Sequence, residues 1–123
     1  MNKRDRVILN KLIDEAKIIA DILHDVDETE FLNNEEKMRA VCMTLVNIGE
    51  LVKNMTDEFR SKNQHIPWKD IAGLRDVTAH GYFTLRMSDI WIYAAFELPE
   101  HAMQMKDLLV RLDNGISCHT PPY

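Results

Sequence analysis

Cysteine is scarce: Cys42 and Cys118 are the only two in 123 residues. Cys42 falls on an apolar helical stripe and Cys118 in a polar tail. The pair supplies neither a disulfide scaffold nor the ligands of a zinc site, and a reducing cytoplasm is the expected compartment. Long hydrophobic runs are missing too. The longest uncharged apolar stretch, Ala40 to Gly49, is about ten residues and is interrupted by Thr44 and Asn47, whereas a bilayer span needs about 20. The first residues, Met-Asn-Lys-Arg-Asp-Arg, run into a charged amphipathic pattern and do not read as a secretory signal. There is no surplus of basic charge. Fifteen Lys and Arg face 20 Asp and Glu, a net charge of -5, which weighs against a general nucleic-acid binder and against DNA as a partner. An RNA-acting enzyme is still allowed, because it needs only a local positive cleft. Glycine and proline number four each, and no linker or low-complexity tract divides the chain. One domain over residues 1–123 is expected, with a flexible tail from about 114.

What is present is helical periodicity. Leu9, Leu12, Ala16, Ile19 and Leu23 recur at spacings of three and four, and the face widened by Ile8 and Ile22 predicts a helix over about 3–24. A polar connection follows, with a short helical turn expected at Glu30-Phe31-Leu32. Asn33 stands three residues before Glu36, as an N-cap with its capping-box partner would. Met38, Val41, Leu45, Ile48, Val52, Met55 and Phe59 then predict one long helix over about 35–62. Gly49 lies inside it at a cost of roughly 1 kcal/mol relative to Ala, which points to close packing by a neighbouring helix. Pro67 suits the first turn of a third helix over about 68–80, which Gly81 would end. Ser88 is the expected cap of a fourth helix carrying Trp91, Ala95, Leu98, Ala102, Met105, Leu109 and Leu112. Pro99 should kink or break that helix, and Asn114-Gly115 should end it. The fold class is therefore all-α: an antiparallel bundle of four to five helices with apolar surface to spare, expected to pair as a homodimer.

The chemistry gathers at the end of the third helix, in Arg75-Asp76-Val77-Thr78-Ala79-His80-Gly81-Tyr82. Arginine holds phosphate oxygens through a rigid fork of donors. Histidine moves protons near pH 7. A phenol hydroxyl hydrogen-bonds a ligand or accepts a transferred group. Five residues on an ideal helix separate Arg75 from His80 by about 140°, so a complete site calls for two copies meeting at a dimer seam. Asp76, four residues before His80, is placed to orient the imidazole and favour its protonated form. His24, His65 and His101 read as solvated; Lys53, Lys62, Lys69 and Arg86 read by default as ordinary surface charges, any of which would help hold RNA if it lined the Arg75 cleft; and Tyr93 reads as structural, with the cleft as its alternative. No metal site and no cofactor are expected.

The segment from Ile66 to Phe83, IPWKDIAGLRDVTAHGYF, resembles the signature of the HepT-like branch of HEPN proteins. The upstream VNIGELVK from Val46 to Lys53 resembles that family's second-helix pattern, and Ile90-Trp91 with Leu98-Pro99 extend the likeness. It covers the chain from about Arg4 to Leu112, and its core, Arg-x4-His-x-Tyr, is matched by Arg75, His80 and Tyr82. The resemblance implies an all-helical homodimer acting as a metal-independent endoribonuclease, the toxin of a bacterial toxin–antitoxin pair. It implies Arg75 and His80 as catalytic residues and a product ending in 2′,3′-cyclic phosphate. Its partner would be a nucleotidyltransferase antitoxin that transfers AMP to Tyr82. Asp76 stands where the broader group often has Asn or another polar residue. The competing expectation is a binding module that recognises a nucleotide or a nucleotidyltransferase without cutting RNA.

Overall fold

The computed structural model describes residues 2–79 and 86–115, and for 77–79 the backbone alone. Helix α1 (Lys3–Ile22) starts where Asn2, in extended backbone, accepts the Asp5 N–H, and it buries Ile8, Leu9, Leu12, Ala16 and Ile19 along the predicted face. Helix α2 (Glu28–Leu32) is capped by Asp27 and buries Phe31. The N-cap of α3 (Glu35–Lys53) is Asn34, which accepts the Lys37 N–H at 3.0 Å, and not the expected Asn33. Asn33 instead closes α2, its amide donating to the Thr29 carbonyl.

The long helix expected over 35–62 is broken. It stops at Asn54, and α4 (Asp57–Lys62) begins behind Thr56. The cause is Asp5, a carboxylate only 2% exposed. Its Oδ1 accepts the Thr56 N–H at 2.9 Å and its Oδ2 accepts the Thr56 hydroxyl at 2.7 Å. That hydroxyl in turn accepts the Phe59 N–H and caps α4. Met55 and Phe59 remain buried across the break, so the apolar rhythm continues where the helix does not.

The third segment also divides, into α5 (Trp68–Ala72) behind Pro67 and α6 (Leu74–Ala79), with Gly73 between them. The Asp76 N–H reaches only three residues back, to the Gly73 carbonyl. Gly81, the expected terminator, lies outside the described residues. Helix α7 (Met87–Ile92) begins behind Arg86, so Ser88 sits in its first turn and is not the cap. A π-helical segment, Tyr93–Glu97, leads into α8 (Leu98–Asp113) with Pro99 in its first turn. Proline has no N–H to give and its ring crowds the carbonyl four residues back. A widened turn just before it is a standard relief. Asn114 closes α8, and Gly115 takes φ +74°.

Side-chain contacts fix the order of packing. Asp5 meets Thr56, Glu15 accepts from Asn47, and Lys37 reaches the Ile22 carbonyl, so α1 and α3 run antiparallel. Arg6 pairs with Asp113, which sets α8 antiparallel to α1. Helices α5 and α6 lie against α3. Phe31 meets Trp91 with ring centroids 5.5 Å apart, and Phe59 meets Trp68 at 6.1 Å, tying α2 to α7 and α4 to α5. Both tryptophans are core residues. Of the methionines, Met55 and Met105 are buried while Met43 and Met103 face outward. Among the described residues there is no strand, and no helix is long and apolar enough to cross a membrane. Replacing Asp5 with Ala leaves the half-buried Thr56 N–H and hydroxyl without their acceptor and should cost about 1–3 kcal/mol. Urea unfolding checks this, and a midpoint unchanged from wild type would refute it.

Candidate active site

Arg75 and Asp76 are the sequence-predicted site residues that fall within the described structure; His80 and Tyr82 lie outside it. Arg75 opens α6, and its backbone passes unusually near α3. A Cβ placed on Gly49 would stand 2.5 Å from the Arg75 amide nitrogen, 2.9 Å from the Arg75 Cβ and 3.0 Å from the Ala72 carbonyl oxygen. Backbone atoms cannot swing aside as a side chain does. Any larger residue at 49 must push α5 and α6 away from α3. The close packing that the mid-helix glycine implied is therefore found, and its partner is the candidate catalytic arginine.

The next residue along α3 completes the arrangement. Glu50 Oε1 lies 2.9 Å from Arg75 Nε, with the two side chains 49% and 36% exposed. A pair so exposed contributes only about 0–1 kcal/mol to stability; its effect is on direction. The other four N–H donors of a guanidinium sit on its two terminal nitrogens. A carboxylate at Nε therefore fixes the plane of the fork without blocking the terminal edge that reads a phosphate bidentately. Glu50 is a site residue that periodicity alone does not single out. Its only signal in the sequence is its place beside Gly49.

Two clefts of opposite character flank this crossing. Glu50 lines one of about 460 Å³ together with Asp14, Glu15 and Lys11. Asp76, which is exposed, lines another of about 730 Å³ together with Lys53, Arg60 and Lys69. Lys53 and Lys69 are exposed, as expected of surface charges, and share this cleft. No group of three or more His, Cys, Asp or Glu able to hold a metal ion occurs among the described residues.

A model of the family described as ribonuclease HepT-like matches residues 12–108. The chain belongs to that family. A provisionally named RNase of Caldanaerobacter subterraneus subsp. tengcongensis is 35% identical over 107 residues, spanning 87% of this chain and 96% of that protein. A provisionally named RNase of Methanocaldococcus jannaschii is 34% identical over 114 residues, spanning 92% and 98%. A provisionally named ribonuclease HepT of Thermococcus cleftensis is 25% identical over 99 residues, spanning 80% and 90%. No solved structure matches the chain significantly. The HepT-like match takes in Gly49 and Glu50 as well as Arg75, Asp76, His80 and Tyr82.

One further polar pair stands apart from the HepT-like motif. The Tyr93 hydroxyl lies 3.0 Å from His101 Nδ1, and the rings are 5.6 Å apart. His101 is therefore not the solvated histidine expected. Burial, with the negative charges of Glu97 and Asp70, pushes the Tyr93 pKa well above the usual phenol range. The phenol keeps its proton, and the tautomer of the imidazole sets which of the two groups donates. Burial lowers the His101 pKa below 6.5, while Glu97, Glu100 and Asp70 oppose the shift.

Two outcomes follow from this geometry. Ala at an exposed mid-helix glycine stabilises by roughly 1 kcal/mol, but Gly49→Ala should destabilise by about 1–3 kcal/mol through overpacking, as denaturant unfolding would read. A gain in stability would mean that α3 and α6 are not in close contact. His101 binds its proton less readily folded than unfolded, so its contribution to stability is intact above pH 6.5 and falls as pH drops from 6.5 toward its lowered folded value. Thermal melts from pH 8 to pH 5 should show His101→Gln losing less stability than wild type over that window; parallel profiles would contradict the assignment.

Proposed function

We propose that this chain is a metal-independent endoribonuclease, with Arg75 and His80 as its catalytic residues, working as the toxin of a toxin–antitoxin pair in the cytoplasm. The observation that carries the reading is the fixing of Arg75, by backbone contact at Gly49 and by Glu50 at Nε, within a chain of the HepT-like family. The names of the relatives agree with it.

In the proposed reaction an RNA 2′-hydroxyl loses its proton to His80 and attacks the adjacent phosphorus. The bond to the 5′-oxygen breaks, and that oxygen takes a proton from an imidazolium, supplied by the same residue or by its counterpart on a second copy. The products are a 2′,3′-cyclic phosphate and a 5′-hydroxyl, so DNA is not a substrate. Arg75 stabilises the charge that develops on the phosphoryl oxygens. In this reading Asp76 serves to orient His80. A homodimer is part of this reading, because five residues on an ideal helix separate two side chains by about 140°, which calls for a second copy to complete the site. Phe96, Met103 and Val110, seven residues apart and 65%, 65% and 56% exposed, offer apolar surface for such pairing. Regulation would come from a nucleotidyltransferase antitoxin adding AMP to Tyr82, which brings negative charge to the cleft and opposes RNA entry.

RNA cleavage without divalent ions is the decisive assay. Wild-type protein freed of any partner should cut RNA and leave cyclic phosphate ends, while Arg75→Ala and His80→Ala should each lower the rate by about 10²-fold or more. Equal cutting by His80→Ala would remove the catalytic assignment. If wild type binds RNA or a nucleotidyltransferase but cuts nothing, the non-catalytic binding module is the better reading.

A further inference from the structure

The cleft of about 730 Å³ beside Arg75 concentrates positive charge in a chain whose net charge is -5. Its cations come from three helices: Lys53 from the last turn of α3, Arg60 from α4 and Lys69 from α5. Among the described residues, Asp76 is the one acidic residue that lines it. Arg60 is partly spent on Asp57, but Lys53 and Lys69 are exposed and form no ion pair among the described residues. The far wall is made by Ala72, Gly73 and Asp76, the residues that bracket Arg75 in sequence. That wall adjoins the backbone on either side of Arg75, whose side chain turns to Glu50 at the neighbouring cleft.

We propose that Lys53, Arg60 and Lys69 form a track that holds the phosphate backbone of substrate RNA next to the phosphate bound by Arg75. The proposal rests on the ribonuclease reading and specifies how that site takes its substrate. The track reads backbone and not bases. Trp68, the aromatic residue of the cleft among the described residues, is 4% exposed and its indole N–H donates to the Asn63 carbonyl at 3.0 Å, so it offers no face for stacking. Lysines and a partly paired arginine supply charge without a directional base contact. Gln64 adds an amide able to reach a sugar hydroxyl. Asp76 opposes phosphate at its own corner and confines the backbone to the lysine side.

The test uses the full chain carrying Lys53→Gln and Lys69→Gln together, with Lys11→Gln and Lys106→Gln as a control of equal charge. Binding is followed by anisotropy with a fully 2′-O-methylated RNA, which cannot be cut, between 50 and 200 mM salt. Each lost phosphate contact on a single strand makes the log–log salt slope shallower by about 0.7. The cleft double variant should therefore lose about 1.4 from the slope and respond about sevenfold less to the fourfold salt change. The control should keep the wild-type slope. On cleavable RNA the cleft variant should show a raised KM with kcat retained. An unchanged slope, an equal loss in the control, or wild type that does not bind the methylated RNA overturns the track. Cleavage that survives His80→Ala, alongside a slope lost only in the cleft variant, would sink the catalytic assignment and leave the track standing. The reverse pattern would do the opposite.

Discussion

The structure turns on the crossing of α3 over the start of α6, where Gly49 admits the backbone of Arg75. Helices joined by ordinary side chains pack with axes roughly 8–10 Å apart. Here a Cβ on Gly49 would meet the Arg75 amide nitrogen at 2.5 Å. That closeness brings Glu50, one residue on, within 2.9 Å of Arg75 Nε. Position and orientation of the guanidinium thus come from two consecutive residues of one helix. Backbone contact sets the place, and a carboxylate sets the plane. Neither needs the chain beyond α6.

The acidic balance of the whole chain and a role on RNA conflict only if charge is treated as an average. The field that a phosphate meets is local, since charges beyond about 10 Å are largely screened at ordinary ionic strength. On one side of the crossing Asp14, Glu15 and Glu50 gather; on the other stand Lys53, Arg60 and Lys69. On the proposed reading, a polyanion is favoured at the lysine-lined cleft and opposed at the carboxylate-lined one, where the Arg75 guanidinium offsets Glu50. The net charge of -5 then acts against indiscriminate adsorption along the rest of the surface.

The apolar rhythm made the four helical segments and their buried faces readable, because burial of one face is what a 3–4 spacing records. It left the breaks unreadable, and for a single reason. Met55 and Phe59 are buried on either side of the interruption at Thr56, so the period runs on while the backbone stops. What stops it is Asp5, 51 residues away in sequence, and no window along the chain contains both partners. The same holds for Glu50, whose role depends on which side of α3 meets α6. Gly49 and Pro99 were legible because a backbone constraint belongs to the residue itself: one lacks a side chain and the other lacks a donor. Asn33 and Ser88 show the usual error of cap assignment, since Asn34 and Arg86 hold those places, one and two positions away, and only the backbone angles distinguish the rival candidates.

The exposure of the Arg75–Glu50 pair bears on how a phosphate would be received. A buried guanidinium–carboxylate pair resists any newcomer, because breaking it strands a charge at a cost of about 3–5 kcal/mol. A pair at 36% and 49% exposure is worth at most about 1 kcal/mol. Water can take over either partner when the other turns away. An arriving phosphate can therefore engage the terminal nitrogens while Glu50 keeps Nε, or displace Glu50 at little cost. The pair is strong enough to bias direction and weak enough to yield, which suits the proposed role of Arg75, aimed before substrate arrives and committed to it afterwards. A lysine at 75 would lose this arrangement, since a single ammonium cannot give one edge to a carboxylate and another to a phosphate.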